Sequence, residues 1–282
     1  SFIHALCYCQ GIETLMGVEP TPRAKYLRVV WGELHRIHSH HLWLGCLADS
    51  FGFESLFMQF WRNREMIMDL LEMTAGNRVI ISTCAVGGTG RDISPQQAAE
   101  ILRVLDKVQA ELDKLLPVVL NDYTVRQRTV GKGVLTREQA IKLGTVGPVL
   151  RASGVAQDVR MTGYAAYGDL EFEPIVEQTG DAYARMLVRM RETYQAIDLV
   201  RQALAKMPEG EIIARARGNP QGRTISRVEQ PRGEVIYYIA GNNTRNLERL
   251  RVRTPTFANV PALVQMLPGS ELANVPVLVL TI

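Results

Sequence analysis

From Thr21 onward the chain reads as one long helix, and this run limits the possible folds more than any other stretch. Thr21 is an N-cap residue, and Pro22 falls in the first turn, where its missing N–H has no intrahelical partner to lose. Apolar residues then recur at Leu27, Val30, Leu34, Ile37 and Leu44, the spacing of a single helical face. A second helix is predicted from about Ser55 to Met73, closed by Gly76. A third starts at Ser94-Pro95, runs through Ile101, Leu105, Val108, Leu112 and Leu115, and is expected to end at Pro117. Three long helices in succession predict a mainly α fold with a multi-helix bundle core.

Later elements fit the same frame. Thr136-Arg137-Glu138 opens a short helix ended by Gly144, and Asp181 to Ala205 carries Tyr183, Leu187, Met190, Tyr194, Ile197 and Leu204 on one stripe. Glycine and proline punctuation with short β-like runs such as VIYYIA predicts small β excursions. The expected organisation is a single domain over 1–282. Its helical core covers about 3–143 and 180–206, and its loop and small-sheet regions about 144–179 and 210–255. The apolar end of the chain, VPVLVLTI, reads as a buried strand with nothing after it, and both ends look cut.

A chain of 282 residues with 46% hydrophobic residues can bury a sizeable core. Its 32 basic and 29 acidic residues are mixed along the sequence, so no charge block argues for a nucleic-acid partner or a polybasic membrane anchor. No apolar run reaches the length of a membrane span. Four cysteines, Cys7, Cys9, Cys46 and Cys84, form no CxxC pair, and reduced thiols are the default for them.

Several clusters carry chemistry or its bland alternative. His35, His38, His40 and His41 have spacing that could line a helix face for a metal, but no carboxylate or cysteine sits at a matching offset. Hydrogen-bonded core histidines are therefore the expected reading. In PRGEVIYY, Arg232 is either a buried cation that needs a carboxylate, backbone carbonyls or a ligand, or part of a surface hairpin with a solvated ion pair. GPVLRASGV and VGGTGRD are glycine-rich but match neither GxGxxG nor the lysine-containing phosphate loop, so NAD or nucleotide binding gains little support. Tyr8 lies near His4 and Gly11 and reads either as a cavity wall or as a locally bonded core tyrosine.

The order of the segments YCQGIETLMGVEPTPRAKYLRVVWGELHRIHSHHLWLG, FMQFWRNREMIMDLLEMTAGNR, VGGTGRDI, GPVLRASGVAQDVR, GDAYARMLVRMRE, VEQPRGEVIYYIAG and RLRVRTPTFANVPAL resembles one superfamily from end to end. It resembles the large subunit of membrane-bound, energy-converting nickel-iron hydrogenases and the related D-type quinone-site subunit of complex I (NADH-quinone oxidoreductase). Ser1 to His4 read as the last four positions of the hydrogenase motif CxxCxxxH. The resemblance therefore implies nickel-binding cysteines before Ser1 and a second pair after Ile282, no metal ligand among this chain's own cysteines, and no turnover by this piece alone. It also implies two catalytic residues: His4, hydrogen-bonded near a bridging thiolate, and Arg232, a fixed cation over the metal pair. In the complex I branch it implies quinone binding by Tyr8 and Asp92, the latter linked to a histidine this chain lacks.

His4, CYCQ and HSHHLWLG match the hydrogenase wording more closely, while His41 departs from the leucine usual after SH in both branches. The implied cofactors are a nickel-iron centre in the full-length protein, a quinone in the alternative, and iron-sulfur clusters on a partner. The implied partners are an iron-sulfur small subunit and membrane-arm subunits, with the chain peripheral on the cytoplasmic side of the membrane. A scaffold descendant that has lost both reactive sites is the non-enzymatic alternative.

Overall fold

The structure is a computed structural model that describes residues 2–282. Its first helix, α1 (Phe2–Met16), is followed by α2 (Pro22–Ser50) and α3 (Glu54–Ala75). The caps are those the sequence signals. The Thr21 side chain accepts from the Ala24 N–H, and Gly76 closes α3 at φ +79°, its N–H donating to the Glu72 carbonyl.

A two-stranded hairpin, β1 (Cys84–Ala85) and β2 (Gly88–Thr89), leads to α4 (Pro95–Asn121), which opens with a reciprocal capping box between Ser94 and Gln97. α4 does not end at Pro117 as expected but continues one turn further. Proline removes only its own N–H bond, and Leu116 and Val119 on either side stay buried and hold the helix to the core.

Short helices α5 (Tyr123–Thr129), α6 (Arg137–Lys142) and α7 (Pro148–Arg151) lead through an irregular stretch to α8 (Ala182–Lys206). The Asp181 side chain caps α8 by accepting from Ala184 N–H. α2 packs along both α3 and α8, and α4 closes the bundle against α3 and α8. Trp31, Leu34, Phe60, Ile67, Leu105, Leu112 and Ile197 are fully buried between them, each contributing roughly 1.5–3 kcal/mol by leaving water. α2 is buried nearly all round, which explains why its apolar stripe is interrupted by Arg28, Glu33, Arg36, His38, His40 and His41, all of them inside the protein.

The VIYYIA run lies in a three-stranded antiparallel sheet of β3 (Gln221–Gln230), β4 (Gly233–Asn242) and β5 (Leu247–Arg253), in that spatial order. α1 lies across β3 and β4. A Cβ at Gly11 would come within 2.5 Å of Ile239 and 3.2 Å of Ser226, so the glycine sets how closely the helix meets the sheet. α9 (Pro255–Met266) and α10 (Val275–Leu280) finish the fold.

The strand expected at VPVLVLTI is therefore α10, a correction with a clear cause. Such a short β-branched run fits either state, and here the exposed carbonyls of a helix end find donors: Trp43 Nε1 bonds the Leu280 carbonyl at 2.5 Å and Arg189 Nη2 the Thr281 carbonyl at 2.8 Å. Among the described residues no helix is long and apolar enough to cross a membrane.

Candidate functional site

The site is built around the tight turn between β3 and β4, where Pro231 and Arg232 connect the paired residues Gln230 and Gly233. Three elements fix this turn. Arg36 on α2 donates from Nη2 to the Glu229 carbonyl at 3.0 Å and from Nη1 to the Gln230 carbonyl at 3.1 Å. Gly147, at φ +67°, presses directly on the turn: a Cβ there would lie 2.3 Å from Gly233 Cα and 2.5 Å from the Arg232 carbonyl oxygen. Asn259 on α9 holds the loop that carries Gly147, accepting from Val146 N–H at 2.9 Å and donating to the Val146 carbonyl at 3.3 Å. This close approach accounts for the glycines in GPVLR and PRGE without any nucleotide.

The Arg232 side chain turns inward from the hairpin towards α2, where Nη1 donates to Ser39 Oγ. Among the described residues no carboxylate pairs with it. Glu234, its neighbour in sequence, is taken by Arg227 at 3.3 Å and Arg253 at 2.6 Å. Of the two readings of PRGE, the solvated ion pair is therefore excluded. Burial holds the Arg232 guanidinium below its ordinary pKa; burial is also what chiefly disfavours protonation of His35, His38 and His40, and the Arg232 charge adds to it.

Of the α2 histidines, His40 and His41 are hydrogen-bonded inside the protein as expected, but neither ring nitrogen of buried His38 has a hydrogen-bond partner among the described residues. His40 Nε2 lies 3.1 Å from Glu192 Oε2, and His41 Nδ1 lies 2.8 Å from the Ile37 carbonyl. His35 and His38 stack at 5.8 Å. Burial, followed by the charge of Arg64, lowers His38 to about 4, so it is neutral. Among the described residues no group of three or more His, Cys, Asp or Glu side chains is placed to hold a metal ion.

His4 Nδ1 and the Tyr237 hydroxyl are hydrogen-bonded at 2.9 Å, which ties α1 to β4. Gly233 and Tyr237 are four residues apart on the strand, roughly 13 Å at about 3.3 Å per residue. His4 and Arg232 therefore share a strand as support but not a contact. Tyr8 is half-buried against the core, and its hydroxyl bonds no described residue. Asp92 lies elsewhere, accepting from Arg23 Nε at 2.9 Å on the first turn of α2, so no bond joins it to Tyr8. Cys7 packs against Ser226, and burial pushes its thiol up to about 11. Cys9 meets the Cys84 thiol.

What the motif reading missed is a buried ionic network behind the turn. Arg151 on α7 pairs with Glu192 at 2.7 Å, Glu229 at 2.8 Å and Asp158 at 3.6 Å; Arg160 joins Asp158 at 2.7 Å and Glu33 at 3.3 Å; Arg36 joins Glu33 at 3.0 Å. Three cations thus face four carboxylates. Burial opposes ionisation of Glu192, but Arg151 and His40 outweigh it and keep the carboxyl well below its usual range. Glu229 is the carboxylate in excess, pushed up to about 7 by burial and by Asp158. Part of the signal was present: Glu33 and Arg36 on α2 and Glu192 on α8 fall among the buried positions of their helices, where charges need internal partners.

Comparison with known proteins agrees with this architecture. The family model described as respiratory-chain NADH dehydrogenase, 49 Kd subunit, matches residues 50–219 and 215–282. The carbon monoxide-induced hydrogenase of Rhodospirillum rubrum is 38% identical over 279 residues, covering 98% of this chain and 77% of that protein. The membrane-bound hydrogenase subunit alpha of Pyrococcus furiosus is 36% identical over 300 residues, covering 100% and 70%. A D-type subunit of the NADH-quinone oxidoreductase of Thermodesulfovibrio yellowstonii is 32% identical over 308 residues, covering 98% and 77%. The chain is a member of the family of the respiratory-chain NADH dehydrogenase 49 kDa subunit.

Proposed function

We propose that the chain is the large redox subunit of a membrane-associated, multi-subunit oxidoreductase of the energy-converting nickel-iron hydrogenase type. Electrons would pass between it and an iron-sulfur partner subunit, with protons reduced reversibly to hydrogen. Other subunits would supply the membrane arm, and this chain would lie peripherally on the cytoplasmic side.

The observation that carries this reading is Arg232, a half-buried cation with no carboxylate partner among the described residues, held by one hydroxyl at a turn fixed from three directions. A cation oriented and under-compensated in this way would offer its charge to a group bound beside it without reorganising. His4, bonded to Tyr237, supplies an oriented ring nitrogen on the same strand. Both roles are those implied by the hydrogenase resemblance, and two of the relatives are named hydrogenases. The described residues offer no thiolate set for nickel and iron, so His4 and Arg232 would flank such a centre and not ligate it.

The second reading is a quinone-binding component of a complex I-type NADH-quinone oxidoreductase. It is favoured by the relative named as part of an NADH-quinone oxidoreductase and by the unbonded hydroxyl of Tyr8. The ion pair of Asp92 with Arg23 ties up one of the two residues that reading uses.

The test is the purified complex, assayed in parallel for hydrogen evolution from reduced viologen, for quinone reduction and for nickel content. Nickel with hydrogen evolution supports the proposal. Quinone reduction without nickel replaces it with the second reading, and neither activity in an intact complex leaves a scaffold.

A further inference from the structure

The sheet has a second face that the proposed site does not use, and its composition is unusual. On the α1 side lie Ser226, Val228, Val235, Tyr237 and Ile239, all buried. The antiparallel register places the alternate residues together on the opposite side. There Arg223, Ala240 and Arg249 form one cross-strand row; Ile225, Tyr238 and Arg251 form the next; Arg227, Ile236 and Arg253 form the third. Five of the nine positions are arginine, and none is lysine or a carboxylate.

Glu234, one row further on, pairs with Arg227 and Arg253. The side chains of Arg223, Arg249 and Arg251 are exposed and make no hydrogen bond or ion pair with any described residue. Glu248, at the irregularity where β5 slips register, pairs with none of them. Ile225, at the β3 end of the middle row, is 64% exposed. β5 is an edge strand exposed on both sides, with Leu250 and Val252 also open to solvent. The whole chain carries a net charge of only +3, so this concentration of one sign is local.

We propose that this face docks an acidic segment of a partner subunit, its carboxylates bridging Arg223, Arg249 and Arg251 and an apolar side chain covering Ile225 and Tyr238. Charge complementarity selects an acidic occupant. The exclusive use of arginine selects polypeptide carboxylate: the planar guanidinium fork matches a carboxylate in bidentate fashion, and arginine beside an aromatic residue and an exposed aliphatic one is the make-up of interface centres. A diffuse anionic surface is served as well by lysine, of which this face has none. The inference concerns assembly and does not depend on which redox reaction the complex carries out.

The experiment uses the full-length protein in its native complex, isolated through a tag on this chain. Arg223→Glu, Arg249→Glu and Arg251→Glu are combined and compared with a control reversing Arg103 and Lys114, two exposed cations on α4 that pair only with their own helix. We expect one partner subunit to fall roughly tenfold or more in the isolated complex, since like charges then oppose each other, while the control keeps it.

A second variant, Arg223→Lys with Arg249→Lys and Arg251→Lys, keeps the charge and admits zero-length carbodiimide coupling of lysine to carboxylate. Cross-links from these lysines to Asp or Glu of a partner subunit are the expected result. An unchanged subunit composition together with no inter-subunit cross-link from these positions overturns the proposal. So do cross-links only to another part of this same chain, or loss of binding to phosphatidylglycerol vesicles while every subunit is retained.

Discussion

Replacing Arg151 with methionine should be among the most damaging single changes in the molecule, and its pH dependence should show why. One guanidinium lies 2.7 Å from Glu192, 2.8 Å from Glu229 and 3.6 Å from Asp158, with all four side chains inside the protein. Methionine keeps most of the volume and removes the charge. Deleting one partner of a buried ion pair costs about 3–5 kcal/mol, a large part of a total stability of roughly 5–15 kcal/mol.

The sign with pH follows from the carboxylates. In the wild type Glu192 and Asp158 are held below their unfolded values, so their stabilisation is present above those values and is lost as the pH falls through the folded ones. Glu229 is raised to about 7, so its contribution is full below its unfolded value and fades as the pH rises through neutrality. Without Arg151 all three carboxyls move upward and bind protons more readily when folded. The deficit of the variant should therefore be greatest near pH 8 and shrink towards pH 5. Urea denaturation of the purified full-length chain across that range measures it. A deficit below about 1 kcal/mol, or one that grows on acidification, would refute the reasoning.

Three further outcomes follow from the turn and from α1. Gly147→Ala forces a Cβ into the Arg232-Gly233 backbone at positive φ and should cost roughly 1–3 kcal/mol in a thermal melt, with activity falling more than stability alone explains. Asn259→Leu removes both partners of the buried Val146 peptide and should cost about 1–3 kcal/mol for each group left unmet, read from the same melts. Cys7 should resist iodoacetamide in the folded chain at pH 8, where a thiol raised to about 11 is thiolate in only about one molecule in a thousand, and should react once urea exposes it. Rapid alkylation without unfolding would show that its burial is wrong.

The helices that frame the site were legible because caps and apolar spacing are local signals: Thr21-Pro22, Gly76, Ser94-Pro95 and Asp181 each mark an end that the structure keeps. α10 was not legible, because what decides its state comes from Trp43 and Arg189, far away in sequence. α9 was missed although Thr254-Pro255 repeats the same start signal, its side chain accepting from Phe257 N–H.

The inward turn of Arg232 was one of two open readings of PRGE, and the deciding contacts come from Ser39 and Gly147, distant in sequence from the hairpin. The ionic network could be read only in part. Charges at core positions announce that partners exist, but a periodic pattern cannot say that Arg151 meets Glu192 across α7 and α8, or Glu229 at the end of β3. Tyr8 and Asp92, paired by resemblance, are supported by different elements, and no bond joins them.

In the proposed function Arg232 is a fixed cation beside a redox centre. Its most direct test is the rate of hydrogen evolution by the purified complex carrying Arg232→Lys, with subunit composition and nickel content measured on the same preparation. Lysine keeps the charge but loses the planar fork that Ser39 orients, so the rate should fall on the order of a hundredfold while assembly and nickel content match the wild type. A rate close to wild type, or a loss of activity in proportion to lost assembly, would contradict it and leave Arg232 a structural residue of the hairpin.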